Sequence, residues 1–192
     1  TGLSPAVTGA LESKGYRVIA KDGPVCDVWL AKEVTVKPGF KPSLQVKYGF
    51  VPGQLMGAIH FPEKPVRTDF RGQNLPTGTF TLRFGLQPND GNHLGTSDTR
   101  DFVCACPAKL DVDPKIIESE KDVFKLSAKA VNTSHPTIFL LLPPPEKPVA
   151  AADVKHIDDK EFVVLSTNIS TKSEGKPVPV PILLVTIGKG EG

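Results

Sequence analysis

Apolar and polar residues alternate most clearly between residues 79 and 86. Phe80, Leu82 and Phe84 are separated by Thr81 and Arg83. Successive side chains of a β-strand point to opposite faces, so this spacing predicts a strand with one face on the core and one face in water. We therefore expect an antiparallel sheet, with the polar segment that follows forming a connection at its rim.

Similar short segments recur along the chain and are separated by turn signals such as Asp-Gly and Pro-Gly. A spacing of about 8–12 residues between such signals is typical of a β-sandwich or barrel. Prolines at positions 177, 179 and 181 place the start of the last predicted strand at a sheet edge, because proline lacks the N–H that a ladder needs. The other predicted strands cover residues 16–20, 25–36, 43–51, 54–61, 100–106, 137–142, 161–166 and 179–187.

One segment carries a helical pattern. Ser119 and Asp122 fit a capping box, and apolar residues from Phe124 to Val131 recur at helical spacing. The sequence therefore predicts one short α-helix near residues 120–131. Because the strands do not alternate with long helices, we expect an all-β fold, an antiparallel β-sandwich of jelly-roll or immunoglobulin-like type.

The composition agrees with a folded domain. The 192 residues are 39% hydrophobic and 23% charged, which is ordinary for a globular protein. We expect a single domain over residues 1–192, with residues 1–15 as a loosely ordered lead-in and the proline-rich residues 143–152 as a surface connection. The roughly 40 residues after that connection are too few for a separate core.

Charge and hydropathy exclude some partners. The net charge is only +2, and acidic and basic residues are interleaved along the chain. The basic stripe with aromatic platforms that is typical of nucleic-acid binding is missing, so we expect no nucleic-acid partner. The longest apolar run, residues 138–142, is far below the roughly 20 residues of a membrane-spanning helix, so we expect no membrane span. The chain begins at Thr1 without a methionine, as after removal of a signal peptide or in a cut chain. We expect an extracytoplasmic location, periplasmic or secreted.

The three cysteines are Cys26, Cys104 and Cys106. Two residues apart on one strand, Cys104 and Cys106 have Cα atoms about 6.6 Å apart, at the upper limit for a disulfide. A bridge between strands, Cys26 to Cys104, is the pairing that we predict. The alternative is three buried free thiols that pack as small apolar groups.

The segment from 88 to 101 joins two predicted strands and is rich in oxygen donors. A calcium ion needs six to eight oxygen ligands, although the order of residues here does not match an EF-hand. The alternatives are a plain loop, in which these residues bond their own backbone, and a contact with a ligand or partner. The candidate calcium ligands are Asn89, Asp90, Asn92, Asp98 and Asp101.

A second charged cluster has Arg67, Asp69 and Arg71 at alternate positions. On one face of a strand, the two guanidinium groups would flank Asp69 and could bind a carboxylate or sulfate in a bidentate manner. They could equally pair with Asp98 or Asp101 as an internal clamp on the long loop. The candidate ligand-binding residues are Arg67, Asp69, Arg71, His93 and Arg100.

No motif predicts a reaction. The chain has no G-x-S-x-G elbow, Walker motif or G-x-G-x-x-G fingerprint, and no catalytic residue is predicted. The leading hypothesis is a non-catalytic extracytoplasmic binding or structural module that contacts a protein or saccharide partner, with calcium as the one cofactor considered. One alternative is a metal-binding protein that uses loop carboxylates with His93, or the pair Cys104 and Cys106. Another is an enzyme with a site around Asp69, Arg71, His93 and Arg100.

Overall fold

The protein is described by a computed structural model over residues 2–88, 97–173 and 176–190, with the side chains of residues 172 and 173 left aside. Two α-helices, α1 (Pro5–Ala10) and α2 (Glu120–Ala128), and one 3-10 turn (Asp158–Lys160) accompany the strands. The strands are β1 (Tyr16–Ala20), β2 (Gly23–Leu30), β3 (Leu55–Phe61), β4 (Arg67–Thr68), β5 (Asn74–Leu75), β6 (Gly78–Leu86), β7 (Asp101–Pro107), β8 (Ile138–Leu142), β9 (Asp153–Ile157), β10 (Phe162–Ser173) and β11 (Lys176–Ile187).

Nine of the strands form one antiparallel sheet in the order β1-β2-β3-β6-β7-β8-β11-β10-β9, and β4 pairs separately with β5. The sheet curls until its two ends nearly meet, where the chain just after β2 forms a parallel bridge from Val34 to Thr171 of β10. The predicted antiparallel all-β class is confirmed. The hydrogen bonding joins the nine strands into a single, nearly closed barrel, so the division into two sandwiched sheets is not confirmed.

Large apolar side chains fill the interior of the barrel. Phe80, Leu82 and Phe84 of β6 all point inward and are at most 4% exposed, as their alternation predicts. Phe61 stacks on Phe139 across the core at 5.7 Å between ring centroids. The interior is therefore a packed core of aromatic and branched side chains.

The opposite face of β6 does not meet water, and that part of the prediction is wrong. Thr81 and Arg83 are both 0% exposed, because the segment between β7 and α2 folds back over them. Arg83 forms a bidentate ion pair with Asp111 of that segment, with Nε–Oδ2 and Nη2–Oδ1 distances of 2.8 and 2.7 Å. The Thr81 hydroxyl also donates to Asp111.

Every N–H group of Arg83 has an acceptor. Besides Asp111, the guanidinium donates to the carbonyls of Gly53 (3.1 Å), Lys115 (2.6 Å) and Asp113. A guanidinium carries five N–H donors, so this buried charge is fully satisfied. One side chain thereby fixes β6, the turn before β3 and the covering segment in a single arrangement.

The turn before β3 depends on a glycine. Gly53 has φ +81°, and a Cβ atom there would lie 1.9 Å from the carbonyl oxygen of Ile117. The covering segment approaches so closely because the N–H of Ile117 donates to the Gly53 carbonyl at 3.2 Å. Only glycine satisfies both the positive φ and this contact.

The two helices begin at serine caps. The Ser119 hydroxyl accepts from the N–H of Asp122 at the start of α2, which confirms the predicted helix. α2 packs on β7. The Ser127 oxygen lies 2.9 Å from the carbonyls of both Ala105 and Thr137, which share its single O–H donor, and it accepts from the N–H of Thr137 at 2.9 Å. The region predicted as a loosely ordered lead-in contains α1, whose Val7 is fully buried.

Three further features differ from or refine the predicted strands. Residues 43–51 do not form a strand, because the N–H groups of Lys47 and Tyr48 donate to the side chain of Asp101 instead of to a ladder. β9, which the sequence pattern missed, pairs along the first part of β10. The proline-bearing first half of β11 pairs with β10 alone, which agrees with its predicted edge position.

We expect the substitution Arg83→Met to lower the free energy of unfolding by about 3–5 kcal/mol, because it leaves the Asp111 carboxylate buried without its partner. Urea denaturation followed by tryptophan fluorescence measures this loss. Arg17→Met is the matched control, since Arg17 also pairs with an aspartate, Asp27, but is 65% exposed and should leave the midpoint unchanged.

A double variant separates pairing from packing. Arg83→Met with Asp111→Leu should be more stable than Arg83→Met alone, because no unpaired charge remains. If Arg83→Met unfolded at the same urea concentration as the unmodified protein, the central role of this ion pair would be refuted.

Candidate functional site

A tight turn after β4 is built around the carboxylate of Asp69, which is 0% exposed. Its Oδ1 accepts from the backbone N–H groups of Arg71 (3.0 Å) and Gln73 (2.8 Å). Its Oδ2 accepts from Gln73 Nε2 (2.8 Å) and from the N–H of Ile138 in β8 (3.2 Å). Burial raises the pKa of this carboxyl, and the four N–H donors oppose that rise.

The next residue, Phe70, joins this turn to the sheet and to the end of the chain. Its N–H donates to the Ile138 carbonyl and its own carbonyl accepts from the N–H of Gly190, both at 2.9 Å. Its ring packs edge-on against Phe102 and Phe162, with centroids 5.8 and 5.9 Å away. The 69–73 turn is therefore held rigidly on the outer surface of the barrel.

A groove runs along this outer surface between the turn and α2. Its first cavity has a volume of about 490 Å³. The floor is apolar and comes from β7, β8 and α2, with Phe102, Cys104, Ile138 and Phe124 among the lining residues. The cavity is also lined by Phe70, Arg71, Gly85, Leu86, Gln87, Pro88, His135, Pro136, Lys189 and Gly190.

A second cavity of about 240 Å³ continues the groove. It shares Phe70, Lys189 and Gly190 with the first cavity. Asp98 and Lys160 also line it, and their side chains are 3.5 Å apart. The groove thus consists of a mainly apolar cavity and a second cavity of mixed polarity, on either side of one bridge formed by the shared residues.

Positive charge gathers at this bridge. Arg71 and Lys189 are both exposed at the rim, and neither has an ion-pair partner among the residues that the structure describes. Lys189 extends across the turn, since a Cβ atom added to Gly72 would lie 2.9 Å from its Cε and 3.5 Å from its Nζ. His135 is exposed at the rim of the first cavity.

The predicted ligand-binding residues lie in different places. Arg71 is at the rim of the groove, but Arg67 donates to Asp22 (3.3 Å) and to the Pro24 carbonyl (3.1 Å) away from it. Asp69 contacts backbone and amide donors, so the predicted flanking of Asp69 by two guanidinium groups is wrong. Arg100 donates to the Gln87 carbonyl at 2.6 Å. His93 lies outside the described residues.

Neither arginine of the cluster clamps the long loop in the predicted way. Within the described ranges, Arg67 pairs with Asp22, and Arg71 pairs with neither Asp98 nor Asp101. The two segments nevertheless converge, because Phe70 and Arg71 line the groove together with Gln87, Pro88 and residues 97–99. This convergence is what joins them into one candidate site.

The calcium prediction concerns residues in and beside this loop. Asn89, Asp90 and Asn92 lie outside the described residues. Asp98 is 92% exposed beside Lys160, while Asp101 is buried and accepts from the N–H groups of Lys47 (2.7 Å) and Tyr48 (3.1 Å). Over residues 2–88, 97–173 and 176–190, no three His, Cys, Asp or Glu side chains cluster as metal ligands.

The three cysteines are buried free thiols, which corrects the predicted Cys26–Cys104 bridge. Strands β3 and β6 separate β2 from β7, so three strand spacings of roughly 4.8 Å keep the two residues apart. A disulfide requires Cα atoms within about 7 Å. Burial raises the pKa of the Cys104 thiol at the groove floor to about 12, which makes it a poor nucleophile.

The sequence did not indicate two of the residues at the rim. Lys189 lies near the end of the printed chain, where nothing in its neighbourhood marks it, and His135 reads as a strand-end residue. The local signal that did exist was the density of charge around Arg71. The apolar floor could not be predicted from the sequence either, because Phe102 and Cys104 alternate with core residues as in any strand.

No known protein family, no curated protein and no solved structure matches this chain. In the described part of the chain, neither helix has the length and apolar character needed to cross a lipid bilayer. The groove is therefore interpreted from its own geometry.

We expect Ellman's reagent to detect no thiol in the native protein near pH 8 and three thiols per chain after denaturation. Burial raises the pKa of all three cysteines and closes them to the reagent. The assay is run on protein purified without reductant. One thiol per denatured chain would instead reveal a disulfide and contradict the observed free cysteines.

The substitution Asp69→Asn should lower the free energy of unfolding by about 2–3 kcal/mol, because an amide NH₂ replaces one oxygen opposite buried N–H donors. Urea unfolding gives the change. Asp98→Asn provides the same chemical change at an exposed position and should leave stability unaltered. Equal stability of the two variants would show that the Asp69 turn does not depend on its carboxylate.

Proposed function

We propose that the protein is a non-catalytic, extracytoplasmic binding module that holds a segment of a partner protein in the outer groove. The observation that carries the proposal is the convergence of four separate segments on one apolar floor with a cationic rim. Residues 70–71, 85–88, 97–99 and 189–190 each line one or both of the two cavities. The packed interior of the barrel leaves the outer surface as the place for recognition.

The division of the groove supports a polypeptide as the partner. Two cavities separated by one bridge suit alternate side chains of an extended chain, which share one face, better than one compact ligand. A neutral saccharide is a poorer match for the first cavity, because its floor is apolar and its rim carries the cations Arg71 and Lys189, with Gln87 as the one amide side chain within the described lining. A saccharide partner stays the second candidate through the exposed positive charge, which suits sulfate or carboxylate groups.

Two expectations from the sequence are also part of this proposal: the type of sandwich and the location of the protein. A jelly-roll or immunoglobulin-like sandwich would require the barrel to be read as two flattened layers, and β2 and β11, which are not hydrogen-bonded neighbours, do come close enough to contact each other. The extracytoplasmic location is carried over from the sequence as part of this proposal, and the free cysteines do not add support to it.

The proposal predicts that filling the groove abolishes binding. A Cβ atom at Gly85 would make ordinary contacts of 3.4 Å with Cys104 and Phe124, so the rest of a leucine side chain would occupy the first cavity. A random displayed-peptide library is selected on the unmodified protein. Selected peptides should bind Gly85→Leu at least about tenfold more weakly, as measured by titration calorimetry.

Gly9→Leu is the matched control, because Gly9 is exposed and a Cβ atom there meets nothing within 4 Å. Thermal unfolding verifies that both variants fold. The proposal fails if the selected peptides bind Gly85→Leu and Gly9→Leu equally well. It also fails if a glycan array binds in a groove-dependent way while no peptide does, since that result selects the saccharide.

A further inference from the structure

We propose that the partner segment carries an acidic side chain between two apolar side chains, with the acidic group at Arg71 and Lys189 and the apolar groups in the two cavities. The inference rests on the proposed function and names the chemistry of its partner. The bridge between the two cavities consists of Phe70, Lys189 and Gly190, which line both of them.

The positions of the two cations are fixed by the fold. The backbone of Arg71 is held by its N–H bond to Asp69, and Phe70 is bonded on one side to β8 and on the other to Gly190, next to Lys189. Hydrogen bonding therefore fixes the backbone on which the two cations are carried, and the Lys189 side chain lies against Gly72, the neighbour of Arg71. Like charges on one rim repel, so their placement favours an anion between them.

The elements that line this rim contribute few other charges. α2 contributes Phe124, and β7 and β8 contribute apolar groups to the floor. His135 adds a nitrogen donor at one end of the groove, and Asp98 at the other end lies beside Lys160. Within the described lining, Asp98 is thus the one acidic side chain, and it faces a cation of its own.

The two cavities set the rest of the pattern. Each offers apolar surface for one or two side chains, the first from Phe102, Ile138 and Phe124 and the second from Leu140 and Phe162. Burial of such side chains supplies affinity, while the exposed cations at the bridge supply selectivity. An extended segment with apolar, acidic and apolar residues at alternate positions, which share one face, matches both requirements.

A focused display library tests the charge of the central residue. Its peptides carry one central position encoded as an equal mixture of Glu, Gln and Lys, with an apolar position two residues before it and another two residues after it, so that all three side chains share one face. After selection on the unmodified protein at low salt, we expect Glu to be enriched about fivefold or more over Lys. The preference should shrink in 1 M sodium chloride, because salt screens exposed charges.

The double variant Arg71→Gln with Lys189→Gln should lose the preference for Glu and still bind apolar peptides. Lys37→Gln with Lys41→Gln is the matched control, since both lysines are exposed outside the groove lining, and it should keep the preference. Loss of the preference in the control variant as well would overturn the inference, because a general effect of net charge would explain it.

The two proposals fail in different ways. Peptides that bind in a manner sensitive to Gly85→Leu but show no preference for Glu overturn this inference and leave the binding module standing. An absence of any groove-dependent peptide binding overturns the proposed function and this inference with it. Enrichment of Lys over Glu would likewise refute the assignment of Arg71 and Lys189 to an anion.

Discussion

A single buried guanidinium constrains much of this structure. Arg83 lies on the outer face of a central strand, where a charge without partners would cost far more than the domain's whole stability margin. The chain resolves this by folding residues 107–119 over it, so that Asp111 and three carbonyls accept all five N–H groups. That covering segment then leads into α2, which forms one wall of the groove. The burial of Arg83 under this segment therefore determines where the groove lies.

The same logic of buried charge shapes the opposite wall. Asp69 accepts four N–H bonds and Asp101 accepts two, and each carboxylate orders a piece of chain that forms no regular ladder. Ionised acceptors bind N–H groups more strongly than neutral ones, so they can replace secondary structure locally. The rigid rim that presents Arg71 and Lys189 depends on this substitution. Charges inside the protein thus position the exposed charges that are available to a partner.

Local pattern predicted the inner layer of the fold and much less of the outer one. Alternation at Phe80, Leu82 and Phe84 placed them inside, and the Ser119 cap located α2, since both signals lie within a few residues. The burial of Arg83 could not be predicted, because its cover is supplied from about 30 residues away. Apolar and polar residues alternate over residues 43–51 as in a strand, yet the N–H groups of Lys47 and Tyr48 donate to the side chain of Asp101. Arg71 was found from its charged neighbours, whereas Lys189 reaches the rim only through the fold.

The number of strands in the main sheet has one more consequence. In a fully antiparallel sheet of nine strands, the first and last strands run in the same direction, so they cannot pair as antiparallel neighbours. Closure instead uses the parallel bridge between Val34 and Thr171, which includes the bond from the N–H of Val34 to the Ser170 carbonyl at 2.9 Å. Because the number of strands is odd, the seam where the two ends of the sheet meet is the weakest part of the barrel. Breathing of the native state should therefore begin there, and amides along β1 and β9 should exchange with solvent before those of β6 and β7.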